Sequence, residues 1–220
     1  RDSFHARMLP AIVILDPELT TGLPPKITAA TGMDALSHNL EAYCSPFFHP
    51  MAAGIALEGM RIIKEYLPQA VADGADLQAR QQMLVASSMG ATAFQRGLGA
   101  MHALAHPLGA LYDAHHGMLN AILMPYVLKA NQHAVAPRLQ ALARYLALPD
   151  DNPGAVLDWV LALRETVGIP HTLADIGIND SEADRVGRMA SEDPSGGTNP
   201  VTYTPEQYAE LFRAAVRGIL

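Results

Sequence analysis

Apolar residues recur at helical spacing almost without interruption from Ile27 to the end of the 220-residue chain, which limits the fold to an array of packed helices. The spacing predicts helices over about 28–43, 49–66 and 76–94, the second stopping near Pro68. The Arg-Gly-Leu-Gly segment at 96–99 breaks the third, and another helix starts near Met101. The next runs over 117–130, where Pro125 is expected to kink or end it. Residues 137–148, 153–168, 179–193 and 204–220 supply the rest; Pro153 and Gly168 mark one pair of ends, and Thr204 N-caps the last helix. Residues 192–203 read as a polar loop. Only Ala-Ile-Val-Ile-Leu-Asp, residues 11–16, reads as a strand, and a lone strand has to find a pairing partner. The fold class expected is all-α with one strand at its front.

Half of the residues are hydrophobic and 17% are charged, a globular balance. A formal net charge of −7 and the lack of a basic stripe exclude a nucleic-acid backbone binder. No apolar run approaches the ~20 residues of a membrane-spanning helix, and no signal peptide is evident, so a cytoplasmic protein is expected. The single cysteine, Cys44, rules out an internal disulfide and fits a reducing compartment; it has no nucleophile context and reads as a buried structural thiol. The chain begins at Arg1 and not at methionine, which suggests a piece of a longer protein.

The chemistry lies in the histidines. Of nine, His102, His106, His115 and His116 fall within fifteen residues, in "GLGAMHALAHPLGALYDAHHG". Earlier, "TGMDALSHNLEAY" (31–43) places Asp34 and His38 four residues apart, on one helical face, and His102 and His106 repeat that spacing. Their neighbours are apolar, so these helices look buried. A single buried histidine or carboxylate is most simply a hydrogen-bonded core group. A carboxylate and three or more histidines in two short segments point instead to a divalent transition metal, which takes neutral imidazole and carboxylate together. His5, His49, His133 and His171 lie outside the cluster and read as surface or satisfied side chains.

These two segments, continued by "LDPELTTGLPPKITAATGMDAL" and "HGMLNAILMPYV", resemble the iron-containing (group III) alcohol dehydrogenase family. The likeness is strong over residues 11–131 and extends through "SEDPSGGTNP" to the end. It implies the helical C-terminal domain of the dehydroquinate synthase-like fold, with residues 1–24 a strand and connector from a Rossmann-like domain and 25–220 the metal-binding catalytic domain. It implies Asp34, His38, His102 and His116 as metal ligands, His116 preferred to His115 because it precedes Gly117. His106 matches a histidine beside the nicotinamide, given a catalytic and cofactor-contacting role; Leu19 matches a position against the cofactor, and Phe94 one lining the substrate pocket. The implied reaction interconverts a primary or secondary alcohol and its aldehyde or ketone, with NAD or NADP as hydride carrier and a site suited to Fe(II) and also to zinc. Family habit implies a homo-oligomer, a dimer.

The family's dinucleotide-binding half, with its glycine-rich phosphate loop, is not found in these residues; "PSGGT" at 194–198 follows no strand and is no substitute. The isolated chain is therefore expected to be inactive. The alternative is a stand-alone, non-catalytic helical metal-binding module. Glycerol dehydrogenase and dehydroquinate synthase relatives fit less well, since four candidate ligands exceed their three-residue zinc sites.

Overall fold

The computed structural model describes residues 10–220, so His5 lies outside the described residues. Eight α-helices follow one another: α1 (Pro25–Cys44), α2 (Pro50–Ala72), α3 (Leu77–Ala93), α4 (Ala100–Tyr112), α5 (His116–Tyr145), α6 (Gly154–Thr166), α7 (Ala183–Ser191) and α8 (Pro205–Arg217). A short 3-10 turn at Pro17–Thr20 precedes α1, and others at Phe94–Arg96, Ala174–Ile176 and Pro194–Thr198 lie between later helices. The helix α1 packs against α2, α3 and α5; α4 lies between α5 and α7, and α8 covers α7 and touches α5. Fourteen of the twenty residues of α1 are buried, so any polar group on it must find a partner inside the protein.

Helix starts follow the sequence closely. Proline occupies the first turn of α1, α2 and α8, where its missing N–H costs nothing. Thr204 caps α8 in a reciprocal box with Gln207, and Asp76 caps α3 through the Ala79 N–H. Helix stops follow it less well. Neither Pro68 nor Pro125 ends its helix: α2 runs on to Ala72, and α5 continues through Pro125 and Pro137, merging two expected helices into one of thirty residues. A mid-helix proline costs about 3 kcal/mol, but Leu67 and Ala70 in α2, and Ile122, Leu123, Tyr126 and Val127 in α5, are all buried. Burial of a single such side chain contributes about 1.5–3 kcal/mol, so packing outweighs the lost hydrogen bond.

The expected N-terminal strand does not form. Residues 10–16 carry no strand pairing, and Ile12, Val13 and Ile14 stand 79%, 62% and 83% exposed before Asp16 caps the first 3-10 turn. Strand propensity without a neighbouring strand leaves backbone groups to water, and no other strand exists among the described residues to supply a ladder. The fold of the described residues is all-α.

Candidate metal centre

Asp34 and His38 lie one turn apart on α1, with His38 Nε2 3.9 Å from Asp34 Oδ2. The neighbouring helix α3 comes close at Gly90, where a Cβ would sit 2.9 Å from the Cβ of His38. Phe94, at the end of α3, sets its ring edge-on to His38 at 5.4 Å. Burial pulls the His38 imidazole down to about 4, against the opposing pull of Asp34, so at neutral pH it is an uncharged donor.

His102 enters from the first turn of α4 and is 1% exposed. Its Nδ1 lies 2.7 Å from Glu41, seven residues beyond Asp34 on α1. The same carboxylate accepts the backbone N–H groups of Gly99 (2.8 Å) and Met101 (2.7 Å), while Asn199 Oδ1 accepts that of Ala100. One buried carboxylate therefore caps α4, where a helix terminus favours negative charge, and orients His102. With Nδ1 committed to Glu41, the Nε2 lone pair is the one that faces His38 and His116. His38 and His102 stack at 4.9 Å.

His116 begins α5. Its neighbour His115 is the N-cap, accepting the Met118 N–H at Nδ1, so the two adjacent histidines divide into a cap and a site group. Gly117 lets α5 reach α1: a Cβ there would lie 2.6 Å from the Ala30 carbonyl oxygen and 3.2 Å from Asp34 Cβ. That contact holds His116 Nε2 3.7 Å from Asp34 Oδ1. Backbone cannot yield as a side-chain tip can. Gly117→Ala should cost about 2 kcal/mol or more in urea unfolding and separate α5 from α1.

The outcome is that Asp34, His38, His102 and His116 each offer a donor atom, all within 4.8 Å of one another. One carboxylate oxygen and three imidazole nitrogens fit Fe(II) or zinc, whose ligand distances of about 2.0–2.2 Å require only small closure of such a cluster. Asn120, one turn after His116, points its amide into the same group.

His106 stands beside this cluster. Its ring stacks on His116 at 5.6 Å and meets His102 edge-on at 5.9 Å. Its Nδ1 is 2.8 Å from Asp193, in the segment between α7 and α8. Burial alone would raise the Asp193 carboxyl, but hydrogen bonds from His106 and the Ser195 N–H outweigh it and leave Asp193 below the usual carboxylate range. Asn199, from the same segment, pairs with Asn131 through two hydrogen bonds of 2.8 and 3.0 Å. The stretch read as a polar loop is thus tied to both α4 and α5.

Leu19 lies on the first 3-10 turn, 84% exposed and outside this cluster. Cys44 is buried, with its thiol pushed up to about 12, as expected of a structural thiol. His49 caps α2 through the Ala52 N–H, His133 is exposed, and His171 contacts Arg164. Sequence reading missed Glu41, Asn120 and Asp193. Glu41 and Asn120 repeat the helical spacing of Asp34 and His116 on the same faces, a signal that was available; Asp193 is 87 residues from His106 and had none.

An all-helical domain that converges one carboxylate and three imidazoles defines a class of metal-site domain, and comparison makes the class specific. Residues 28–216 match the model of the Fe-containing alcohol dehydrogenase family, C-terminal, and the chain belongs to that family. It is 40% identical to a 4-hydroxybutyrate dehydrogenase of Cupriavidus necator, over 97% of this chain and 58% of that protein. Among solved structures, a 1,3-propanediol oxidoreductase superposes with a TM-score of 0.87 at 36% identity, covering 91% of this chain and 54% of that one. A sulfoacetaldehyde reductase from Bifidobacterium kashiwanohense, in complex with NAD+, superposes at 0.82 with 29% identity, covering 91% and 53%. The chain spans little more than half the length of these relatives. Among the described residues, no helix is long and apolar enough to cross a membrane.

Proposed function

We propose that residues 25–220 are the metal-holding catalytic domain of a nicotinamide-dependent alcohol dehydrogenase that interconverts a primary or secondary alcohol and its aldehyde or ketone. The observation that carries this reading is the convergence of Asp34, His38, His102 and His116, drawn from three helices, within 4.8 Å. These four would hold Fe(II), or zinc, and the hydride carrier would be NAD or NADP. A divalent metal in such a set supplies Lewis acidity, which polarises a carbonyl or makes an alcohol easier to deprotonate.

The chain's own residues do the rest. Glu41 fixes the His102 ring, and the neutral His38 offers a lone pair without first losing a proton. Asp193 holds the Nδ1–H of His106 and so orients the ring, whose imidazole would accept or return a proton at the substrate. Phe94, against His38, gives the substrate side an apolar wall. The longer relatives supply the support for placing the nicotinamide on a second domain, so these 220 residues by themselves would hold metal without turning over alcohol.

The test joins these residues to a dinucleotide-binding domain of the same family. His106→Ala should lower the rate of NADH oxidation by aldehyde roughly a hundredfold while elemental analysis finds metal unchanged. Metal lost together with activity would reassign His106 as a ligand. A joined chain that binds metal and NADH yet reduces no aldehyde would refute the enzyme reading.

A further inference from the structure

Asn120 is wholly buried, and its side chain ends among the donor atoms. Its amide nitrogen lies 2.7 Å from Asp34 Oδ1, 3.2 Å from His102 Nε2 and 3.1 Å from His116 Nε2. An amide nitrogen carries two hydrogens, so three acceptors share them. At the other end of the amide, Oδ1 has no hydrogen-bond partner among the described residues. A buried acceptor left unpaired is costly, and this orientation is therefore held by the contacts of the nitrogen.

Those contacts compete with ligation. A neutral imidazole has one lone pair in its ring plane, on the unprotonated nitrogen. His102 Nδ1 is committed to Glu41, so the lone pair that receives the Asn120 N–H is the one a metal would take. Hydrogen bond and ligation exclude each other there, and His116 Nε2 faces the same choice. Asp34, with two carboxylate oxygens, can serve both.

We propose that Asn120 is a positioning residue of this centre and that its side-chain amide reverses on metal loading. Its nitrogen ties together donors from α1, α4 and α5, and its oxygen turns to the ion once the imidazole lone pairs are taken. The proposal rests on the metal-centre reading above. Reversal replaces N–H dipoles that oppose a cation with a carbonyl oxygen that attracts one; it gives Oδ1 a partner and turns the two N–H donors to the side where Oδ1 had none, so the attraction of the ion has to outweigh their lost contacts. No covalent bond changes.

The test measures zinc affinity of the 220-residue chain by competition with a chelator. Wild type should bind zinc and His102→Ala should bind it roughly a hundredfold to a thousandfold more weakly; failure of that pair overturns the metal centre itself, whatever Asn120 does. With the centre established, Asn120→Ala should bind roughly tenfold to a hundredfold more weakly with its helical circular dichroism unchanged. Asn120→Asp, which offers oxygen but no N–H, should recover wild-type affinity or better. An Ala variant equal to wild type overturns the proposal, as does an Asp variant no tighter than Ala, which would leave the N–H clamp as the whole role. A carboxylate could also act through charge at a distance. A crystal structure of the zinc-loaded Asp variant should therefore place its oxygen within about 2.2 Å of the ion, and a carboxylate turned away from the ion would overturn the reversal.

Discussion

His102→Ala is expected to lose nearly all bound metal while keeping its fold, read by elemental analysis and by unfolding of the chelator-treated protein. His102 is the central ring of the cluster, stacked on His38 at 4.9 Å and 5.3 Å from His116. Structural metal sites with four ligands hold their ions with about 10–16 kcal/mol, so one ligand removed costs several kcal/mol, roughly a hundredfold to a thousandfold in affinity. The fold suffers less. Glu41 loses one donor but keeps the Gly99 and Met101 N–H groups, so the cap of α4 survives. Unchanged metal stoichiometry would show that the three remaining groups, or others, form the site.

A carboxylate–histidine cluster was legible in sequence because helical geometry is local; which four of its groups would be ligands came only from the family likeness, since His102 and His106 share the spacing of Asp34 and His38. Four-residue spacing puts Asp34 and His38 on one face, and buried neighbours make unpartnered polar groups there improbable on energetic grounds. The preference for His116 over His115 came from the family likeness, in which the last ligand precedes a glycine; in the structure Gly117 lets α5 approach the α1 backbone closely, while His115 turns to cap its own helix. What sequence did not reveal depends on contacts between distant segments. The Asp193–His106 and Asn199–Asn131 pairs join residues 87 and 68 apart in sequence, and no periodicity announces them. The prolines misled for a related reason: local rules set the cost of Pro68 and Pro125, but burial of the surrounding apolar face decided the outcome. The strand expected at residues 11–16 rested on propensity and on the family likeness, and neither supplies a pairing strand among the described residues.

Glu41→Ala should strike both fold and site, and the contrast with His102→Ala is the informative part. Glu41 is 5% exposed and accepts three hydrogen bonds of 2.7–2.8 Å: two from the backbone at the start of α4 and one from His102. Alanine leaves two backbone N–H groups and an imidazole N–H without their acceptor in a nearly dry interior. At about 1–3 kcal/mol for each orphaned group, partly relieved by relaxation or an admitted water, the loss should be about 3–5 kcal/mol. For a domain of this size that lowers the melting temperature by roughly 10 °C. Freed from its orienting partner, the His102 ring can turn its lone pair away from Asp34, and metal affinity should fall roughly tenfold to a hundredfold. Glu41→Gln separates the two effects. It keeps one acceptor oxygen but sets an NH2 group against a donor, so it should recover part of the stability and little of the metal affinity. Full recovery of both by glutamine would mean that the charge of Glu41 is dispensable and that shape alone holds α4 and His102 in place.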